Sequence, residues 1–161
     1  MEKKVLMVVA SQRFRDEELL EPKRVLEERG AKVVIASSSL EPATGMLGAQ
    51  VSPEVLLGDA KAEDYDAVIF IGGGGAQEYW NDPIAHGLAR ETVDKNKVLA
   101  AICIAPVTLA NAGLLAGKKV AVFSSEEDKV ESKGAICAGG DVEVDGNIIT
   151  GEGPQAAEKF A

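Results

Sequence analysis

Two stretches decide the fold: Ala67-Val68-Ile69-Phe70-Ile71 running into Gly72-Gly73-Gly74-Gly75, and Val98-Leu99-Ala100-Ala101-Ile102 running into Cys103. Each is a continuous apolar run of strand length, the pattern of a strand buried on both faces of a parallel sheet. The first stops at a glycine loop. The second stops at a cysteine followed by helix-like sequence. Ligands of an open parallel sheet lie beyond the carboxyl ends of its strands, so the pair sets backbone donors beside a thiol.

Working outward, Lys4 to Ala10 is a third run of this kind and reads as the first central strand. From Asp16 to Arg29, Leu19, Leu20, Val25 and Leu26 recur at helical spacing, with acids early, Pro22 near the start and Arg29-Gly30 as the stop. Ala31 to Ser37 is then a second strand, completing a right-handed beta-alpha-beta unit. Residues 38–66 carry Pro42, Gly45, Gly48 and Pro53 and read as a short hairpin with connecting turns, where little chemistry is expected. Helices are expected at 83–95 and 106–112, and a strand at 119–123. Residues 125–133 read as a solvated, charged helix or loop. Peripheral strands are expected at 135–138, 142–144 and 147–150, the last two joined by a turn at Asp145-Gly146. Gly151-Glu152-Gly153-Pro154 opens a short final helix. Alternating strands and helices make a doubly wound α/β sandwich, and 161 residues suit a single domain over 1–161.

The net charge of −9 and the lack of a basic patch argue against nucleic acid as the main partner. No apolar stretch reaches membrane-span length and no signal sequence precedes the first strand, so a cytoplasmic protein is expected. Two cysteines, Cys103 and Cys137, are too few for a disulfide framework and lack zinc spacing; no metal and no cofactor are expected.

Ala101-Ile102-Cys103-Ile104-Ala105-Pro106 passes from strand to helix with no intervening loop, which requires a sharp turn at Cys103 like a nucleophile elbow. Its sulfur would project toward solvent, with the helix dipole favouring a thiolate. The ordinary alternative is a buried cysteine acting as a small hydrophobe. The glycine loop lacks a Walker lysine, and Ala10-Ser11-Gln12-Arg13-Phe14 stands where a dinucleotide fold would carry its glycines. An oxyanion hole remains, built from the N–H groups of Gly73 and Ile104.

These features, with Ala100-Ala101-Ile102-Cys103-x-x-Pro106 and Glu18-x-x-x-Pro22, resemble the ThiJ/PfpI superfamily over Lys4 to Pro154. The resemblance implies a flavodoxin-like, mostly parallel sheet sandwiched by helices. It further implies Cys103 as nucleophile, Glu18 as a protonated carboxyl at its sulfur, and Gly73 and Ile104 as oxyanion donors. Asp16 and Glu17 are decoys for Glu18. The implied activity is cysteine-dependent and directed at small reactive carbonyls or glycated proteins, as in a glyoxalase or deglycase. The alternatives are a redox-responsive, stress-protective protein acting through Cys103 oxidation, or an intracellular cysteine peptidase. A homo-oligomer, dimer or higher, is a family expectation. In one respect the chain departs from the pattern: many members place a histidine immediately after the cysteine, or after the strand matching 119–123. Ile104 and Phe123 stand there instead. The single histidine, His86, reads as a surface or packing residue, and Cys137 as packing, with a resolving role toward Cys103 as the minor reading.

Overall fold

Every apolar run quoted above becomes a strand of one sheet in the computed structural model, which describes residues 2–161. In chain order the elements are β1 (Lys4–Val8), β2 (Gln12–Phe14), α1 (Asp16–Glu28), β3 (Lys32–Ser37), β4 (Ala43–Gly45), β5 (Gln50–Val51) and β6 (Val55–Leu56). They continue as β7 (Ala67–Phe70), α2 (Pro83–Asp94), β8 (Val98–Ile102), α3 (Pro106–Asn111), β9 (Lys119–Val120), α4 (Glu127–Glu131), β10 (Ile136–Cys137), β11 (Val142–Asp145), β12 (Ile148–Gly151) and α5 (Ala157–Phe160).

The main sheet has seven strands in the order β11-β12-β8-β7-β1-β3-β6. All neighbours are parallel except the β11–β12 hairpin. Successive residues of each strand face opposite sides, so the core divides in two. Leu6, Val8, Val68, Phe70 and Leu99 pack on one face, and Val5, Met7, Ile69, Ile71 and Ile102 on the other. From β1 the chain moves outward to β3 and β6, then returns across β1 to β7. That reversal places a crevice at the carboxyl ends of β1 and β7, where an α/β sheet binds its ligands, with the end of β8 next to it.

Two expectations need correction and a third gains detail. Residues 119–123 are not a strand throughout: only Lys119–Val120 is, and it pairs with β10 in a separate two-stranded sheet. Beyond it the chain is captured by the main sheet, Ala121 N–H donating to the Thr150 hydroxyl at 2.8 Å. The charged stretch 125–133 is solvated as expected, helical over Glu127–Glu131, with Val130 alone buried as its anchor. The hairpin expected within 38–66 exists as β4–β5, yet it is not peripheral to the chemistry. The buried Asp16 carboxylate accepts from Leu47 N–H at 3.0 Å and Ala49 N–H at 2.8 Å, clamping the hairpin to the start of α1. The hairpin's Met46 sulfur in turn accepts from Gly74 N–H at 3.4 Å, beside the glycine loop.

Candidate active site

Cys103 occupies the sharp turn that its sequence position requires. Its φ of 64° is left-handed, a conformation that strains a residue with a Cβ. Two backbone bonds pin it there. Its N–H donates to Gly151 O at 2.9 Å, and its carbonyl accepts from Phe123 N–H at 2.8 Å. The second bond has a consequence at the next atom along the chain. In a trans peptide the carbonyl and the following N–H point in opposite directions, so holding the Cys103 carbonyl toward Phe123 aims the Ile104 N–H back at the sulfur. The glycine loop uses the same device. Arg15 N–H holds the Gly72 carbonyl at 2.9 Å, which turns the Gly73 N–H toward Cys103. Both N–H groups stabilise the charged form of the sulfur.

Glu18 reaches the sulfur from α1. Pro22 has no N–H to offer the Glu18 carbonyl four residues back, so that carbonyl lacks its usual bond within the helix. The side chain is completely buried, and neither carboxyl oxygen makes a hydrogen bond of ordinary geometry. Gly72 is the hinge of this contact. A methyl group there would collide with Glu18 Oε1, lie 2.6 Å from Cys103 Cβ and lie 2.7 Å from the Ile102 carbonyl oxygen. Carboxyl and thiol therefore share one small space that only a glycine leaves open.

Burial pushes the Glu18 carboxyl up to about 7, against the pull of Cys103, the Gly72 N–H and Arg15. Burial, followed by the charge of Glu18, pushes the Cys103 thiol up to about 12. The sequence-based expectation of a solvent-facing sulfur with a lowered pKa is thus corrected. Cys103 is only 8% exposed, and α3 is a six-residue helix starting three residues later, too short and distant for its dipole to outweigh desolvation. The Glu18 contribution to that rise exists only while Glu18 is ionised. The two groups therefore titrate as a pair, releasing one proton near 7 and the second toward 12.

The structure thus brings together all four residues singled out in the sequence: Cys103, Glu18, Gly73 and Ile104. Asp16 and Glu17 stay apart from the sulfur, the first clamping the hairpin and the second paired with Arg15 at 2.9 Å. His86 is not a partner of the thiol. Its Nε2 lies 2.8 Å from the Trp80 carbonyl, which also accepts from Asn111 at 3.0 Å. Cys137 packs with the core on the opposite face of the sheet from Cys103, so it is not placed to resolve an adduct there. It sits beside Glu127 and Glu131, the three ligand atoms lying within 4.8 Å of one another. A cavity of about 620 Å³ lined by Lys3, Arg29, Asp66 and Lys97 lies at the amino ends of β1, β7 and β8, away from this chemistry.

Several contributors escaped the sequence reading. Trp80 donates its indole N–H to the Ile104 carbonyl at 3.1 Å and so braces the elbow. Arg13 and Arg15 flank the glycine loop. A Cβ on Gly73 would lie 2.6 Å from the Arg13 carbonyl oxygen, and the Arg15 guanidinium feels the charge of both Glu18 and Cys103. Their signal was present as Arg13-Phe14-Arg15 after the first strand, a segment read only for the glycines it lacks.

The chain resembles known proteins over nearly its whole length. The chain is 44% identical over 160 residues to the uncharacterized protein MJ0967 of Methanocaldococcus jannaschii, spanning 98% of this chain and 78% of that protein. It is 31% identical over 151 residues to deglycase PH1704 of Pyrococcus horikoshii, spanning 94% and 90%. The solved ThiJ/PfpI domain protein of Brachyspira murdochii superposes with a TM-score of 0.97 at 34% identity, covering 99% of this chain and 92% of that one. The DJ-1/PfpI family model matches residues 3–161. With the glycine loop, the strained cysteine and the buried glutamate all inside that span, the chain belongs to the DJ-1/PfpI family.

Proposed function

We propose that this protein is a cysteine-dependent enzyme acting on small reactive carbonyls or their adducts, as a glyoxalase or deglycase does. The observation that carries this reading is the buried Glu18 carboxyl sharing its space with the strained Cys103, under two N–H groups fixed by their own peptide units. The relative named deglycase supports the substrate class.

On a 2-oxoaldehyde, the singly deprotonated pair, which rests as carboxylate and thiol, reacts through its tautomer, thiolate and carboxylic acid. The sulfur forms a bond to the aldehyde carbon, and the developing oxyanion takes up the Gly73 and Ile104 N–H groups and then the Glu18 proton. Glu18, now a carboxylate, removes the proton on that carbon to leave an enediolate, the hydroxyl proton passes from the first oxygen to its neighbour, and Glu18 returns its proton to the neighbouring carbon as the first oxygen closes to a carbonyl. The result is a thioester of a 2-hydroxy acid. Water releases the acid and restores the thiol. One carbon is oxidised and its neighbour reduced, so no external oxidant is needed. Peptide hydrolysis asks for more, because a poor amine leaving group must be protonated as it departs, a task left to Glu18 alone when His86, the one histidine, is engaged with Trp80.

Cys103→Ser is expected to lower conversion of methylglyoxal to lactate by at least about a thousandfold, since an alkoxide is not available at neutral pH. Chromatographic quantification of lactate checks this. Equal lactate production by the serine variant would refute the proposal.

A further inference from the structure

Arg13 is a cation at the mouth of this site that the reaction above does not use. It has φ 62°, left-handed like Cys103, and sits where the register between β2 and β4 shifts. Such a bulge re-aims the side chain of the extra residue. The guanidinium is turned onto the glycine loop. A methyl group on Gly74 would lie 2.7 Å from Arg13 Nη2 and 3.0 Å from Cζ. Among the described residues no carboxylate forms an ion pair with it. Arg15 lies beside it but is neutralised by Glu17 at 2.9 Å. In a chain of net charge −9, an unpaired guanidinium held in a strained conformation over the loop is a fixed positive charge beside the site. Met46 of the hairpin, 43% exposed and with its sulfur 3.4 Å from the Gly74 nitrogen, sets an apolar side chain beside the same loop.

The geometry points to Arg13 as an anion-selecting residue: the Cys103 site takes carbonyl compounds that carry a carboxylate or phosphate a few bonds from the reacting carbon. The reaction involved is the one proposed above, and the inference rests on that reading. The charge selection itself does not, and it can be measured without turnover.

The probes are iodoacetate and iodoacetamide. Both alkylate a thiolate by the same displacement, sulfur bonding to carbon as iodide leaves, so the ratio of their rates cancels intrinsic thiol reactivity and reports the field at the sulfur. Cys137 is an internal reference of opposite sign, lying near Glu127, Asp128 and Glu131. With peptide-level mass spectrometry at low ionic strength, the iodoacetate to iodoacetamide ratio is expected to be about tenfold higher at Cys103 than at Cys137. It should fall with added salt and in Arg13→Gln, and be retained in Arg13→Lys. A Cys103 ratio equal to that of Cys137, or one untouched by Arg13→Gln, overturns the inference.

A second arm compares kcat/KM for 4,5-dioxopentanoate, a 2-oxoaldehyde with a carboxylate, against methylglyoxal, which has none. The anionic aldehyde should be favoured by about tenfold in the native chain, with the preference lost in Arg13→Gln. A preference for methylglyoxal counts against the inference. If neither aldehyde turns over while the alkylation ratios behave as expected, the proposed reaction fails and the anion selection stands.

Discussion

Gly73→Ala is expected to destabilise the protein by at least about 4 kcal/mol, a size that is exceptional for one substitution and points to specific destabilising mechanisms. Two coincide here. Gly73 has φ 101° and ψ 163°, a region open almost only to glycine. A Cβ there would also meet the Arg15 backbone N–H and lie 2.6 Å from the Arg13 carbonyl oxygen and the Phe14 carbonyl carbon. These are backbone atoms of the segment joining β2 to α1. That segment is tied down by the Arg15 to Gly72 bond, so it cannot yield without releasing the loop. Gly87, exposed in the interior of α2 with open space for at least 4 Å around the position a methyl group would take, is the control. Gly87→Ala should be neutral or stabilise by up to about 1 kcal/mol. Urea unfolding of both variants checks the pair, and a Gly73→Ala cost below about 1 kcal/mol would contradict the packing described.

Glu18→Gln is expected to move stability and activity in opposite directions. The folded carboxyl titrates near 7, against 4.5 for its ordinary value. Between those limits the folded chain binds more protons than the unfolded one. The native protein therefore loses stability as pH rises from 4.5 to 7, by roughly 3 kcal/mol in total, and gains nothing below 4.5. The amide does not ionise, so its stability lacks this fall and should exceed that of the native chain by up to that amount at about pH 8. Turnover of methylglyoxal should meanwhile drop by about a hundredfold or more, because the proton shuttle is gone. Denaturant midpoints at about pH 4.5 and 8, with initial rates at the higher pH, give both readings. A variant less stable than the native chain at the higher pH, with full activity, would mean that Glu18 is a structural acid only.

The sheet was legible because its strands are buried on both faces and so appear as unbroken apolar runs, as at Val68, Ile69 and Phe70 or Leu99, Ala100 and Ala101. The elbow was legible because strand passes into helix at Cys103 with no residue to spare. What did not show was set by contacts distant in sequence. Thr150 captures Ala121 and draws 121–123 away from strand geometry. Asp16 reaches across to Leu47 and Ala49 and carries the hairpin to the site. The sulfur's environment was misjudged for a related reason. A local pattern reveals the helix that follows Cys103, but not the glutamate, glycine loop and hairpin that bury it. Glu18 could be selected over Asp16 and Glu17 only through the family resemblance to which Glu18-x-x-x-Pro22 belongs, since all three are first-turn acids.

The central claim is that Cys103 and Glu18 hold one labile proton between them. The rate of Cys103 alkylation by iodoacetamide, followed across pH on its own peptide in the native chain and in Glu18→Gln, measures this without reference to any substrate. The native rate should rise through an apparent pKa near 7, and in the variant that inflection should move above about 9, where a buried thiol without a proton-sharing partner ionises. Superimposable profiles from the two proteins, or a native rate flat through the neutral range, would contradict it.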